Sequence, residues 1–288
     1  MLRLPRARAI PLAIPAFALL ALCTTGCDQE PKGGKLQTNS RPPDNTPTEV
    51  EPPEPAPTPQ EREEALKILE RGIKAQGGAE RLAKIKAVVK KMEGFAGPVP
   101  EQFRVEQTLN LQFPDRVRNT ALKDTLDGRV NLALALDGES GWGQGPGGTI
   151  DFVKDSSSAH DLKTEIYIES MAIRLSVKEE GTVVRPLPDV RVNGKVAHGI
   201  KVKQKNWPAL YLFFEADSGL LVGLSAQVIE ANTSIKRDIY FLDHKQFDGV
   251  MLPTRLREDR AGGLFLEWTK IDYQFLDKID EALLKRPK

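Results

Sequence analysis

Three histidines, one carboxylate pair, one glycine run and two cysteines are the residues whose type or spacing bears on chemistry. None of the histidines falls in a two-histidine metal spacing such as His-Glu-x-x-His. His160 opens a helix and reads as solvated. His198 shares a strand face with Val196, Ile200 and Val202, which suits a hydrogen-bonded core or rim residue. His244 sits in a polar stretch, Asp243-His244-Lys245, that reads as a hairpin. Glu165 and Glu169 stand one helical turn apart, a spacing that can pose an acid and a base. The same spacing is ordinary on a solvated helix face, and that is the expectation here. The run 143-GQGPGG-148 lacks the Lys-Ser/Thr of a phosphate loop and reads as a flexible hairpin end. No Gly-x-Ser-x-Gly elbow occurs. These features point away from an enzyme and ask for no cofactor or metal.

The cysteines are more informative. Both lie in 21-ALCTTGCDQE-30, and none follows. Residues 1–9 carry Arg3, Arg6 and Arg8 without an acid, and residues 10–22 are apolar throughout. Thirteen apolar residues are too few to span a bilayer, which takes about 20. A basic start and a short apolar run read as an export signal. Gly26-Cys27 directly after it resembles the lipobox of bacterial lipoproteins, although Thr24 stands where Leu is usual. That resemblance implies cleavage before Cys27, acylation of its thiol and anchoring to membrane lipid. It also makes residues 1–26 a signal peptide and leaves no cysteine in the mature chain, whose fold must then rest on its core. Asp28 after the acylated Cys implies inner-membrane retention in enteric systems. The expected location is the cell envelope, facing the periplasm.

The chain carries 41 basic and 40 acidic side chains. Loss of the three signal arginines leaves 38 against 40. That balance gives no reason to expect nucleic acid as a partner. From Asp28 to about Gln60 there are nine prolines and no aromatic residue. Such a segment cannot bury enough surface to offset its ordering entropy. Residues 27–57 therefore read as an anchor and tether, reaching roughly 30 Å as a coil.

Thr58-Pro59-Gln60-Glu61 is a capping-box start for a helix. Leu66, Leu69 and Ile73 mark its buried face, and Gly77-Gly78 ends it. A short helix over Ala79–Ile85 follows. The period then becomes two. In 103-FRVEQTLNLQF-113, Phe103, Val105, Leu109, Leu111 and Phe113 share a face that only Gln107 interrupts. The runs 130-VNLALAL-136 and 196-VAHGIKV-202 alternate likewise. Turn pairs such as Asn193-Gly194 and Asp248-Gly249 divide about nine to eleven strands between Lys86 and Phe275. One helix interrupts them, capped by Ser158 with Asp161 and buried through Leu162, Ile166 and Ile173. A last short helix over Asp277–Arg286 is expected to bury Ile279 and Leu283. Residues 209–215 and 264–275 are apolar on both faces, so both faces must be covered.

Three stretches carry a family resemblance: 74-KAQGGAERLAKIKAVVKKMEG-94, 213-FFEADSGLLVGL-224 and 240-YFLDHKQFDGVMLPTRL-256. With the Trp hairpin 137-DGESGWGQG-145, their order resembles the LolA/LolB-like superfamily over roughly residues 61–288. The resemblance implies an α+β fold for residues 58–288, an incomplete antiparallel barrel with helices covering its concave side. It also implies a cavity for a lipid or the acyl chains of a lipoprotein. Val105, Leu109, Leu111, Leu132, Leu134, Phe214 and Trp268 are the expected lining. Trp207, Tyr211, Phe213, Phe214, Phe265 and Trp268 divide between lining and ordinary core. The alternative is a periplasmic sensor or scaffold that fills the same half-barrel and binds a protein partner.

Overall fold

The computed structural model describes residues 55–98, 100–152, 156–177, 181–230 and 233–287. Gly26, Cys27, the signal segment and nearly all of the tether lie outside them. Helix α1 (Pro59–Gln76) begins as its sequence requires. Thr58 accepts from the Glu61 N–H, Glu61 accepts from the Thr58 N–H, and Pro59 takes the first position. Gly77 closes it at φ 143°, and α2 (Ala79–Lys84) follows.

The rest is one antiparallel sheet. Its strands are β1 (Ala87–Ala96), β2 (Phe103–Gln112), β3 (Arg116–Thr125), β4 (Gly128–Asp137), β5 (Ser140–Gly145) and β6 (Gly148–Phe152) in its first half. The second half is β7 (Thr182–Val192), β8 (Lys195–Gln204), β9 (Leu210–Glu215), β10 (Leu221–Glu230), β11 (Thr233–Phe247), β12 (Val250–Arg260) and β13 (Gly263–Leu276). The order β6-β5-β4-β3-β2-β1-β13-β12-β11-β10-β9-β8-β7 is a meander joined in the middle by β1 and β13. It does not close, so β6 and β7 are its edges. Asn193-Gly194, Asp248-Gly249 and Ala261-Gly262 each place two consecutive residues at positive φ, the geometry of a tight hairpin turn. β7 carries Pro186 and Pro188, which an edge strand tolerates and a central one does not.

Alternation buries one face. Val88, Leu109, Leu111, Leu134, Leu136, Ile200, Leu210, Leu212, Leu224 and Ile271 belong to a single continuous core. Helix α1 and a third helix, α3 (Ser157–Arg174), cover that concave face. α3 connects β6 to β7, so the chain crosses the sheet's open mouth from one edge to the other. A bulge in β13 tunes the seam: Glu93 faces Lys270 while Gly94 faces Trp268. The extra residue lets both Trp268 and Ile271 turn inward, at 3% and 1% exposure.

Several expectations need correction. The described residues form 13 strands, not nine to eleven. The glycine run does form a hairpin end, the β5–β6 turn at Pro146-Gly147, and its first glycine has a packing role: a Cβ on Gly143 would sit 2.9 Å from Phe152 and 3.0 Å from Leu134, so glycine there lets β4, β5 and β6 pack closely. The cap of α3 is Ser156, which accepts from the Ala159 N–H, while Ser158 and Asp161 lie inside the helix and are buried. The last helix is only a 3-10 turn, Glu281–Leu284, started by Asp280. Its buried pair is Ile279 and Leu284, not Leu283, because Trp142 on the convex face donates from Nε1 to the Leu284 carbonyl. His244 lies within β11, not in a hairpin.

Gly94 is a sharp test of the seam. A Cβ there would lie 2.0 Å from the Glu267 carbonyl oxygen. Gly94→Ala is expected to cost about 1–3 kcal/mol, read as a lower urea midpoint with an unchanged slope.

Candidate functional site

The space between α3 and the sheet holds the molecule's least ordinary feature, a buried network of charge. Lys90, at 3% exposure, lies on the inward parity of β1 and donates to Glu169 of α3 at 2.7 Å. Arg237, on the inward parity of β11, donates to Glu165 of α3 at 2.9 Å and forks onto both oxygens of Glu258 at 3.0 Å. Glu230 of β10 lies 3.7 Å from Arg237 and 2.8 Å from Arg260, which also reaches Glu258 at 2.7 Å. Glu165 and Glu169 are therefore not on a solvated face. Their one-turn spacing aims both carboxylates into the sheet, and each finds a cation there.

The network joins three cations to four carboxylates, and burial and charge compete at each titration. Burial works against the charge on Arg237, but Glu258 and Glu165 outweigh it and push its pKa well up. Burial alone would raise Glu258; Arg237 and Arg260 outweigh it and hold that carboxyl below its ordinary value. For Glu165 and Glu230 burial wins, and both are raised. Glu169 Oε2 has no hydrogen-bond partner.

Beside these charges lies an internal cavity of about 70 Å³. α3 supplies Leu162, Glu165, Ile168, Glu169 and Ala172. The sheet supplies Lys90, Met92, Gln107, Leu109, Val117, Asn119, Ala121, Arg237, Ile239, Phe241, Leu256, Glu258, Leu266 and Trp268. Gln107, the one break in the β2 pattern, points here and donates to Asn119 at 2.8 Å. Engineered apolar cavities that admit benzene are about 150 Å³. The space as it stands takes a few waters and no acyl chain.

Of the expected lining, Leu109 and Trp268 border this cavity. Val105, Leu111, Leu132, Leu134 and Phe214 are buried elsewhere in the same core, Phe214 against Gly72 of α1. Trp207 stacks on Tyr167 of α3 with centroids 4.8 Å apart. The signal that would have found Lys90, Arg237 and Glu258 is a charged residue at the inward parity of an otherwise apolar strand.

The histidines are separate from one another. His160 is exposed, His198 lies 2.8 Å from Asp189, and His244 sits 3.0 Å from the Leu221 carbonyl with its pKa lowered by burial. Among the described residues no group of three or more His, Cys, Asp or Glu is placed to hold a metal ion.

Arg237→Met leaves Glu165 buried without its cation and Glu230 and Glu258 sharing Arg260 alone, and is expected to cost about 3–5 kcal/mol in urea unfolding. Adding Glu258→Leu to that variant should recover part of the loss. The pH dependence has two limbs. Glu165 and Glu230 bind protons more tightly folded than unfolded, so stability rises as pH falls from 7 toward their ordinary value of 4.5. Glu258 has the opposite sign, and its contribution is lost as pH falls below 4.5 through its folded pKa. Glu165→Gln should flatten the first limb and spare the second, measured by urea midpoints across that range.

No family model matches the chain, and no curated protein matches it. Solved structures do resemble it. One is a domain assigned to outer membrane lipoprotein sorting from Vibrio parahaemolyticus, at 12% identity and TM-score 0.46, covering 77% of this chain and 96% of that one. A LolA superfamily protein from Nitrosomonas europaea matches at 11% identity and TM-score 0.47, over 77% and 97%. A DUF1329 family protein from Desulfovibrio piger matches at 8% and 0.46, also over 77% and 97%.

Proposed function

We propose that residues 58–288 form an envelope-facing binding domain that takes an apolar chain between α3 and the sheet, and that Cys27 anchors it to a membrane through an acylated thiol. The observation that carries this reading is the cavity under α3. Its walls are mostly apolar, yet the helix that closes it is fastened on that side by ion pairs. Breaking and remaking such pairs changes net stability little when both charges find other partners or water. They make a poorer permanent seal than apolar packing.

Magnitudes limit how α3 moves. Seven buried apolar residues, Ala159, Leu162, Ile166, Tyr167, Ile168, Met171 and Ile173, face inward from it. Freeing them all would cost on the order of 10 kcal/mol or more, comparable with the stability of a whole domain. The helix therefore does not leave. Its C-terminal half is held by Gln76, which donates to the carbonyls of Ala172 and Ile173 at 2.9 Å, and by the Tyr167–Trp207 stack. Its N-terminal half swings, and the cavity widens between Leu162, Leu109 and Trp268. An entering chain repays the opening at about 0.8 kcal/mol per methylene. Arg237, released from Glu165, then faces an acidic or zwitterionic headgroup, while Lys90 stays on Glu169 in the fixed half. The ligand class that fits is a lipid or the acyl group of a lipoprotein. No described helix is long and apolar enough to cross a membrane.

A second reading has its own support. At about 70 Å³ the interior is nearly full, as a sensor or scaffold that binds a protein partner would have it. Mass spectrometry separates the two. Residues 58–288 purified natively are expected to release a lipid on denaturation and to bind added palmitate. Ala121→Met, which fills the cavity from β3, should weaken palmitate binding at least tenfold, since about 1.4 kcal/mol suffices for that. A domain free of lipid, indifferent to palmitate and to Ala121→Met, is the scaffold. For the anchor, the envelope form of the chain should gain acyl mass on Cys27, and Cys27→Ala should lose both that mass and its membrane partitioning.

A further inference from the structure

Two side-chain amides stand where the strand pattern asks for apolar residues. Gln107 of β2 and Asn119 of β3 lie on the inward parity, with Val105, Leu109 and Leu111 on the one strand and Val117 and Ala121 on the other. Register sets Gln107 opposite Ala121 and Leu109 opposite Asn119, so the amides are diagonal neighbours on one face. Met92 of β1 and Leu134 of β4 flank them. Both amides line the cavity under α3, as does Leu162 of the helix.

The amides meet at 2.8 Å, with Gln107 Nε2 donating to Asn119 Oδ1. That bond uses one N–H and one oxygen. Gln107 Oε1 and Asn119 Nδ2 make no hydrogen bond among the described residues. Turning both amides over exchanges their roles and still leaves one oxygen and one NH2 group. Strand register does not need the pair, because the β2–β3 ladder runs without a shift from Val105–Lys123 to Gln112–Arg116. The spare acceptor and donor therefore belong to a wall that is otherwise Leu109, Val117 and Ala121.

A plain acyl chain lying on this wall would cover both groups and offer them nothing, which costs free energy. An ester oxygen can accept but cannot donate. A hydroxyl does both from a single atom, accepting from Asn119 and donating to Gln107. Topology says where on the chain it lies. Arg237, which meets the headgroup, is on β11, and β12, β13 and β1 stand between it and β2. Four strand spacings are roughly 19 Å along the sheet, and less across its curve. The hydroxyl is far from the head.

We propose that Gln107 and Asn119 are specificity-determining residues that select an aliphatic chain bearing a hydroxyl well down its length. This rests on the reading that a chain enters under α3, and deepens it by naming the chain.

Calorimetric titration of the chain from Asp28 onward with stearate, 12-hydroxystearate, palmitate and 3-hydroxypalmitate tests it. 12-hydroxystearate is expected to bind about tenfold more tightly than stearate. 3-hydroxypalmitate, whose hydroxyl lies beside the head, should bind as palmitate does. Gln107→Leu/Asn119→Leu removes both partners together, which a fold tolerates, and should abolish the preference while binding stearate at least as well. Gln107→Met, nearly the same shape, should lose most of the preference too. Thermal melts matching the parent confirm that each variant is folded. Equal binding of stearate and 12-hydroxystearate would overturn the proposal and leave the ligand reading standing. A preference that survives in both variants, or a gain for 3-hydroxypalmitate alone, would also overturn it. A parent that binds none of the four acids would remove the ligand reading and this proposal with it.

Discussion

Arg237 is a full positive charge buried at the centre of a curved sheet, and three separate elements must come together to neutralise it. Glu165 arrives on α3, Glu230 on β10 and Glu258 on β12. An uncompensated buried guanidinium would cost several kcal/mol, so its presence fixes where these elements meet. Lys90 and Glu169 repeat the arrangement one helical turn along α3. The pairs seat the helix in register on the sheet. They do so with interactions whose net contribution is small when both partners are satisfied and large when one is lost. That asymmetry favours a helix that stays in place yet shifts when other charges or water take over its partners.

The sheet sets the rest. A 13-stranded meander has two distant edges, and the chain must pass from β6 to β7 between them. A helix is the economical crossing, because it satisfies its own backbone over the apolar interior. Its inward side must be apolar where it meets core and charged where it meets Lys90 and Arg237. The convex face needs no such cover. Most of it is charged, and one patch, around Ala87, Ala133, Ala135 and Trp142, is closed by Ile279 and Leu284.

Local rules were legible in the sequence. The Thr58 capping box, the Gly77 terminus, the alternation of β2, β4 and β8 and the Asn-Gly and Asp-Gly turns all follow from backbone geometry within a few residues. What escaped depends on long-range contact. Gly143 of β5 is glycine because Leu134 and Phe152 crowd it, and Gly141 because the Ala135 carbonyl does, facts invisible until the strands are paired. The end of the chain buries Leu284 instead of Leu283 because Trp142 offers an N–H there. Glu165 and Glu169 looked like a solvated pair because their cations come from distant strands, Arg237 of β11 72 residues from Glu165 and Lys90 of β1 79 residues from Glu169. Gln107 looked like a flaw in a pattern and is a wall of the cavity.

Hydrogen exchange across α3, with and without palmitate, tests the central claim most directly. If the helix swings about a fixed C-terminal half, the amides of residues 157–165 exchange well before those of 166–174 and before β11 and β12. Palmitate would change the early group, and Ala121→Met would cancel that change. Uniform, slow exchange along the whole helix, unaltered by palmitate, would mean that α3 is a fixed part of the core and that no ligand enters beneath it.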